Sequence, residues 1–536
     1  MVFTLQRYIF RELFRIFLMA TIGLTLILSL GGVLQPVQEY GVGPRQVLHI
    51  LLYFMPITLT FVLPMAALFA SALCYGRFAG DNELNACRAS GISLTTLVYP
   101  GLVLAILVAI ANLLLSFHVM PYFVHLAESS LKADAKQILF RNLERRGYYA
   151  MPPDNRQLVY ADYVDAKNDT LYGIVAVEAE HGVVEKIRTA DAARIQFNPH
   201  EKFNEVRLDA AGVMQMGGGD DNWWWSVGAA EGFRFEFGSL LGDKIKFKRI
   251  NEMKQIRANL MLFDPIARLA LSAYTRLVTQ LTAEELSVRV AAAGSGFCGL
   301  KGQSRSIRFS AAAAGLETEE RIVLVPPVIV EECDAQTGQV LRRLLCDESD
   351  RAYLTVQENV ANPHLTLWLY NPTVEETGQL ILQCSFSDLF LPEAVRQLLG
   401  SGSILDVVSP ERTLAILQGP PNLVLKRYQS ALSTEINDAL VDIRAEMNSR
   451  LVFGIGCIPM ILIGIGLGII QKGGHLLSAF GASCIPAATL IVAIISGRNV
   501  ASGVGLESLT GIWIMWGGLA GLMLLTLLIY AKLMRT

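Results

Sequence analysis

The sequence predicts a polytopic α-helical membrane protein of six transmembrane helices, three before and three after a large inserted all-β region. Two patterns carry this prediction. Long apolar runs crowd residues 1–118 and 451–536, whereas much of the middle alternates polar and apolar residues with a period of two. A third observation, the uneven placement of Lys and Arg around the apolar runs, gives them a direction.

A hydrocarbon core of about 30 Å needs about 20 apolar residues per helix. Stretches 14–35, 48–75, 94–118, 451–470, 476–497 and 509–531 meet that length. Their cores hold no Asp, Glu, Lys or Arg. Asn112, with His49 and His118 near span ends, is the polar intruder. Ionisable groups inside spans mark ion-coupled carriers, so a secondary transporter is disfavoured. Arg7, Arg11, Arg15, Arg77, Arg88, Lys472, Lys532 and Arg535 flank one side, against Arg45 and Arg498 on the other. Both termini are therefore expected in the cytoplasm, with 119–450 outside it. The first apolar run is too long for a cleaved signal, and no small-x-small site precedes Pro36. A net charge of −3 gives no electrostatic footprint for nucleic acid.

The chain divides in order into six parts. Residues 1–118 hold an interfacial helix and spans one to three. Arg7, Arg11 and Arg15 recur four apart, and Leu5, Ile9 and Leu13 line another face, a pattern suited to anionic head groups. Residues 119–156 read as a helical connector. In 157–249, Val206 and Leu208, then Phe233, Phe235 and Phe237, alternate with charged residues as in half-buried antiparallel sheet. Residues 250–304 read as helix followed by a flexible Gly/Ala/Ser-rich stretch. The 305–422 part resumes strands at 306–310, 321–330, 353–358, 365–370 and 379–387. Residues 423–536 form a helix entering span four, then spans five and six. Segments 183–213 and 340–374 share a basic strand, an acidic turn and an alternating strand, which suggests an internal repeat.

Chemistry-bearing motifs are few. Cys298, Cys333, Cys346 and Cys384 fall in the external region, where four cysteines allow three pairings and sequence does not choose among them. Cys74, Cys87, Cys457 and Cys484 fall in or beside spans and read as small packing residues. The glycines of 294–299 are followed by Leu300-Lys301, not by Lys then Ser or Thr, so no phosphate-binding loop is present. No metal-ligand spacing, catalytic motif or cofactor site is found.

The most informative short segment is the loop between spans two and three, YGRFAGDNELNACRASGIS at 75–93. Asp81 is placed to cap a helix, and Glu83 sits in its first turn, where the dipole favours an acid. Gly91, with Ile92 beyond it, suits a left-handed stop. The spacing predicts a helix of about two and a half turns lying across the cytoplasmic face. It could pass a push from a soluble partner to both flanking spans; a connector that only shortens the loop has the same signature.

The segments LQRYIFRELFR (5–15), Pro64-Met65-Ala66, DNELNACRASGIS (81–93) and RAEMNSR (444–450) resemble the LptF/LptG (YjgP/YjgQ) lipopolysaccharide-export permeases, with a leaning toward the LptF type. That resemblance implies a permease subunit of an ATP-binding-cassette transporter in the bacterial inner membrane. It pairs with a second six-span subunit and with a dimer of the cytoplasmic ATPase LptB, so ATP hydrolysis lies in another chain. LptC-like and LptA-like proteins would complete a periplasmic bridge. The external β region is then jellyroll-like and receives the lipid, with Phe233, Phe235 and Phe237 as a lipid-path strand. The loop helix docks on the ATPase through Asp81, Glu83, Leu84, Cys87, Arg88 and Gly91, with Glu83 matching the acidic residue that meets a basic ATPase residue. Two departures stand out. Residues 31–36 (GGVLQP) lack the basic residues that family members carry near the outer end of span one, leaving Arg45 and Arg498 as head-group candidates by position. The external region is also about twice the usual size, so 250–422 could form a second jellyroll-like module doing an LptC-like job. The competing readings are a membrane-anchored periplasmic binding or signalling protein and a different permease that moves lipoprotein or peptide.

Overall fold

The computed structural model describes the chain except at residues 1, 41–43, 134, 152–156, 181–182, 200–203, 220–221, 238–243, 295, 303–304, 319–320, 335–338, 348–350, 358–359, 382, 401, 471–475, 502–505 and 536. It divides into two units, Met1–Lys254 with Val441–Thr536, and Gln255–Leu440.

The first unit opens with helices α1 (Val2–Tyr40), α2 (Pro44–Gly80), the short α3 (Glu83–Ala89) and α4 (Leu94–Leu114). A π-turn at Leu115–Val119 carries α4 into α5 (Met120–Ala133), and α6 (Ala135–Arg146) follows. Strands β1 (Tyr148–Met151), β2 (Gln157–Asp165), β3 (Thr170–Glu180), β4 (Val183–Pro199), β5 (Asn204–Gly219) and β6 (Asn222–Phe237) come next. They form one six-stranded sheet in which each strand pairs antiparallel with its sequence neighbour. This connectivity is a meander, so the jellyroll implied by the resemblance is not evident in it. Alternation sets which face is buried. Val159, Ala161, Leu171, Ile174, Ala193 and Ile195 pack on Ile138, Leu139 and Leu143 of α6, with Leu51 and Phe54 of α2 against the same cluster.

The helix α7 (Ile250–Ala258) begins in the first unit and ends in the second, which contains α8 (Asp264–Ala293) and strands β7 (Cys298–Lys301), β8 (Arg305–Ser310), β9 (Ala313–Thr318), β10 (Arg321–Val325), β11 (Val328–Asp334), β12 (Val340–Cys346), β13 (Arg351–Val356), β14 (Leu365–Tyr370), β15 (Thr373–Val374) and β16 (Gln383–Leu389). The strands make two five-stranded antiparallel sheets, β15-β12-β11-β8-β7 and β16-β14-β13-β10-β9. Ile307, Phe309, Val330 and Leu344 of the first sheet are buried, as are Ile322, Leu324, Leu354, Leu367 and Leu369 of the second. Both sheets thus hide one face. The short helices α9 (Glu393–Leu399), α10 (Ile404–Val408) and α11 (Pro410–Ile416) lead to α12 (Leu423–Ile470), which crosses the division at 440. In the first unit again, α13 (Leu476–Ala501) and α14 (Leu506–Arg535) complete the chain.

Among the described residues, five helical stretches are long and apolar enough to cross a membrane: Phe3–Gly32, Leu51–Gly80, Leu94–Ser130, Leu423–Ile470 and Leu509–Met534. The protein is therefore a multi-pass membrane protein with separate β-sheet regions. The expected span at 476–497 falls on α13, whose described apolar part is the shorter Ile485–Ala501. Helices contact each other through small residues. A methyl group on Gly468 would lie 2.9 Å from the Ala72 carbonyl oxygen and 3.0 Å from the Gly76 nitrogen, so α12 and α2 meet at backbone distance. Gly517 and Gly521, the other glycine pair with this spacing, have nothing within 4 Å.

Four local expectations are corrected. Residues 321–330 are two strands, because the Pro326-Pro327 pair cannot donate to a ladder and separates β10 from β11. The strand expected at 379–387 starts at Gln383, leaving Leu380 59% exposed while Phe386 faces the core. Cys298–Lys301, expected in a flexible stretch, is β7 and pairs with β8. The suggested repeat is not one: 183–213 is most of a single long hairpin, whereas 340–374 spans four strands shared between two sheets. No disulfide joins any pair of the described cysteines, Cys298, Cys333, Cys346 and Cys384 included.

Candidate functional site

Helix α3 is the loop helix read from the sequence, two turns long and one residue later than expected. Asn82, not Asp81, occupies the cap position, at φ 59°, a left-handed conformation that Asn tolerates better than most residues. Its side chain accepts from Asn85 Nδ2 at 2.9 Å instead of capping a backbone amide. The far end matches expectation. Gly91 is left-handed at φ +82°, its amide donates to Arg88 and that of Ile92 to Cys87, which together form a Schellman stop. Ser93 then starts α4, its hydroxyl accepting from the Thr96 amide.

This geometry sorts the side chains. Leu84 is buried in the cluster holding Ile9 and Leu13 of α1, Phe78 of α2 and Leu97 of α4, with Cys87 and Ile92 packed at its edge. Asp81, Glu83, Arg88 and Gly91 are exposed. The helix is therefore pinned on one side to three helices and offers an acid and a base on the other. A second tie, not read from the sequence, fixes the same corner: Arg77 Nη2 lies 3.0 Å from Glu12 Oε1. Arg7, Arg11 and Arg15 stay exposed on α1 while Ile9, Leu13 and Phe17 are buried, as their spacing requires.

A different group of charges gathers where the π-turn at 115–119, the turn before α7, α12 and α13 meet. Arg450 is almost fully buried. Its Nε donates to Glu446 Oε1 at 2.9 Å, Nη1 to the carbonyls of Ser116 (2.9 Å) and Lys248 (3.3 Å), and Nη2 to that of Lys246 (2.7 Å). Ser116 lies in the π-turn, where the widened ladder frees a carbonyl for such a donor. Arg498 Nη2 stands 2.9 Å from the other Glu446 oxygen. Burial pushes the Lys246 ammonium below its usual value, and Lys244 and Arg498 push it further down, against Glu446. The candidate Arg498 is thus ion-paired within the chain. The i, i+4 spacing of Glu446 and Arg450 before an apolar run was a visible signal for this group; the 52-residue separation from Arg498 was not.

The remaining sequence candidates are less defined. Phe233, Phe235 and Phe237 lie on β6, an edge strand, with Leu208, Val206 and Asn204 as their partners on β5. Their side chains, and that of Arg45 at the start of α2, lie outside the described residues.

No curated protein matches the chain. Residues 7–220, about two fifths of the chain, match the family model described as "Lipopolysaccharide export system permease LptF/LptG". The matched stretch contains α1 to α6, including α3 and its anchor, and the sheet from β1 through β5. Over that stretch, the chain is similar to the LptF/LptG family of lipopolysaccharide-export permeases.

Proposed function

We propose that the protein is one permease subunit of an ATP-driven transporter that takes lipopolysaccharide, or a related glycolipid, out of the inner membrane and passes it along a periplasmic β bridge. All six apolar segments span the bilayer in this reading, with both termini and α3 cytoplasmic and the β regions outside. The partners are a second six-span subunit of the same family, an LptB-like ATPase dimer, and LptC-like and LptA-like proteins. ATP is hydrolysed on the ATPase, and this chain converts that cycle into movement of its spans.

The observation that carries this reading is the form of α3. A short helix locked at one end by Gly91, anchored by buried Leu84 among α1, α2 and α4, and exposing Glu83 and Arg88 is built to receive a push and share it among three spans. The energetics fit such a machine. Each acyl CH₂ leaving a bilayer gives up about 0.8 kcal/mol, so a multi-chain lipid needs both an external energy source and an apolar path. The absence of ionisable residues from the span cores leaves ion gradients without an obvious handle. Head-group contact is assigned to Arg45 and Arg498, and lipid passage to Phe233, Phe235 and Phe237 of β6.

Glu83→Arg tests the reading, because it reverses one exposed charge without touching the Leu84 anchor. A cytoplasmic ATPase should co-purify with the unaltered chain and be lost from the variant, together with lipid release from proteoliposomes. If ATPase association and lipid release both survive Glu83→Arg, α3 is a connector and the coupling role is wrong. A membrane-anchored sensor would show no ATPase partner at all. A lipoprotein or peptide permease would keep the ATPase, yet photoreactive groups at 233, 235 and 237 would not crosslink to lipid.

A further inference from the structure

Glu446 carries two cations that differ in how firmly they are held. Arg450 has a side chain 4% exposed and spends its donors on one carboxylate oxygen and three backbone carbonyls. Replacing any of those acceptors would leave a buried charge short of partners, at high cost. Arg498 is 37% exposed and approaches the other Glu446 oxygen to 2.9 Å. It sits in the last turn of α13, so this contact links that turn to α12. Arg450 and Arg498 contact the one carboxylate, and Lys246 lies within its electrostatic reach, so positive charge is in excess there. Burial is the main cause of the lowered Lys246 ammonium, and Lys244 and Arg498 add to it.

We infer that Glu446 is the internal occupant of an anion site on Arg498, and that an anionic lipid head group reaching Arg498 displaces it and frees the last turn of α13 from α12. This rests on the reading of Arg498 as a head-group contact and adds what it must give up to become one. The exchange is one of ionic partners: the head-group phosphate oxygen replaces a carboxylate oxygen on the same guanidinium. Glu446 stays neutralised by Arg450, so no unpaired carboxylate is left behind. Arg450 meanwhile keeps its hold on the π-turn and on 246–248. The α13 end can therefore move while the root of the sheet stays fixed.

The test uses the full chain in nanodiscs of phosphatidylcholine, with phosphatidylglycerol as the anionic probe and inorganic phosphate as the soluble one. Glu446→Gln should tighten phosphatidylglycerol binding by at least about fivefold, the low end of a competitive coupling at one site. Arg498→Gln should weaken it, and the double variant should behave as Arg498→Gln alone. In the unaltered chain, phosphatidylglycerol should speed amide exchange at 495–501 and leave 116–119 unchanged, a readout that does not depend on any variant folding. Equal effects of Glu446→Gln with and without Arg498, or exchange at 495–501 unmoved by the lipid, would overturn the inference. So would inorganic phosphate producing the whole response, which would make the site one for free phosphate. If any of these occurs while Glu83→Arg still abolishes ATPase association, the displacement is wrong and the permease reading stands.

Discussion

The amide of Ile92 donates to the carbonyl oxygen of Cys87 at 3.1 Å, closing α3 across Gly91 in its left-handed conformation. A β-branched side chain does not sit at φ +82° without strain of about 1–2 kcal/mol. Gly91→Val should relieve that strain locally, by opening the last turn of α3, because Leu84 keeps the first turn anchored. Arg88 lies in that last turn and is exposed. Trypsin should therefore cut after Arg88 several times faster in the variant, with the melting of the whole chain little changed. An unchanged cleavage rate would mean the stop does not depend on the glycine.

Why was this end of α3 legible and the other end off by one? Only Gly fits the left-handed residue of a Schellman stop cheaply, so its position is nearly forced. At the start, Asp81 and Asn82 are both capping types, and a single residue of backbone rotation decides between them. The same contrast runs through the fold. Strand β14 was readable to the residue because Leu365, Leu367 and Leu369 alternate without interruption. The register of β16 was not, since Asp388 at φ 58° accompanies a shift in its pairing with β14 that no periodicity announces. Pairings such as Glu12 with Arg77 and Glu446 with Arg498 join residues far apart in the chain, and only the packing of helices brings them together.

Two glycine pairs with the same spacing should answer differently to the same substitution. Gly468 faces the backbone of α2, with the Ala72 carbonyl oxygen 2.9 Å from the position of an added Cβ. Gly468→Leu has no flexible side chain to push aside, so it should cost about 1–3 kcal/mol or more. Gly517 has nothing within 4 Å, so Gly517→Leu should leave the melting temperature of the isolated chain within about a degree or two. Thermal unfolding of both variants in detergent makes the comparison. Equal loss at the two positions would mean that α14 is packed against something within this chain.

The thiol of Cys384 gives a pH test of the second unit. Burial pushes it above the ordinary thiol value, and Glu332 adds to that; Arg342, whose Nη2 lies 3.5 Å from Sγ, and Arg305 pull it down. The nearly buried Glu332 is held by the same two arginines, so the balance is set within one cluster between β8, β11, β12 and β16. A thiol raised in the folded state stays protonated after its unfolded counterpart ionises. Its contribution to stability is therefore whole below the ordinary thiol value and fades as pH climbs from there through the raised one. Alkylation follows the thiolate. Iodoacetamide labelling of Cys384 in the full chain, followed by peptide mass analysis between about pH 7 and 10, should show its midpoint above that of a free thiol. Arg342→Gln removes a lowering influence, so the midpoint should move up again and labelling at pH 8 should slow, even though the smaller side chain opens more room. A midpoint at or below the free-thiol value, or a downward move in Arg342→Gln, would show that Arg342 does not act on the thiol through its charge.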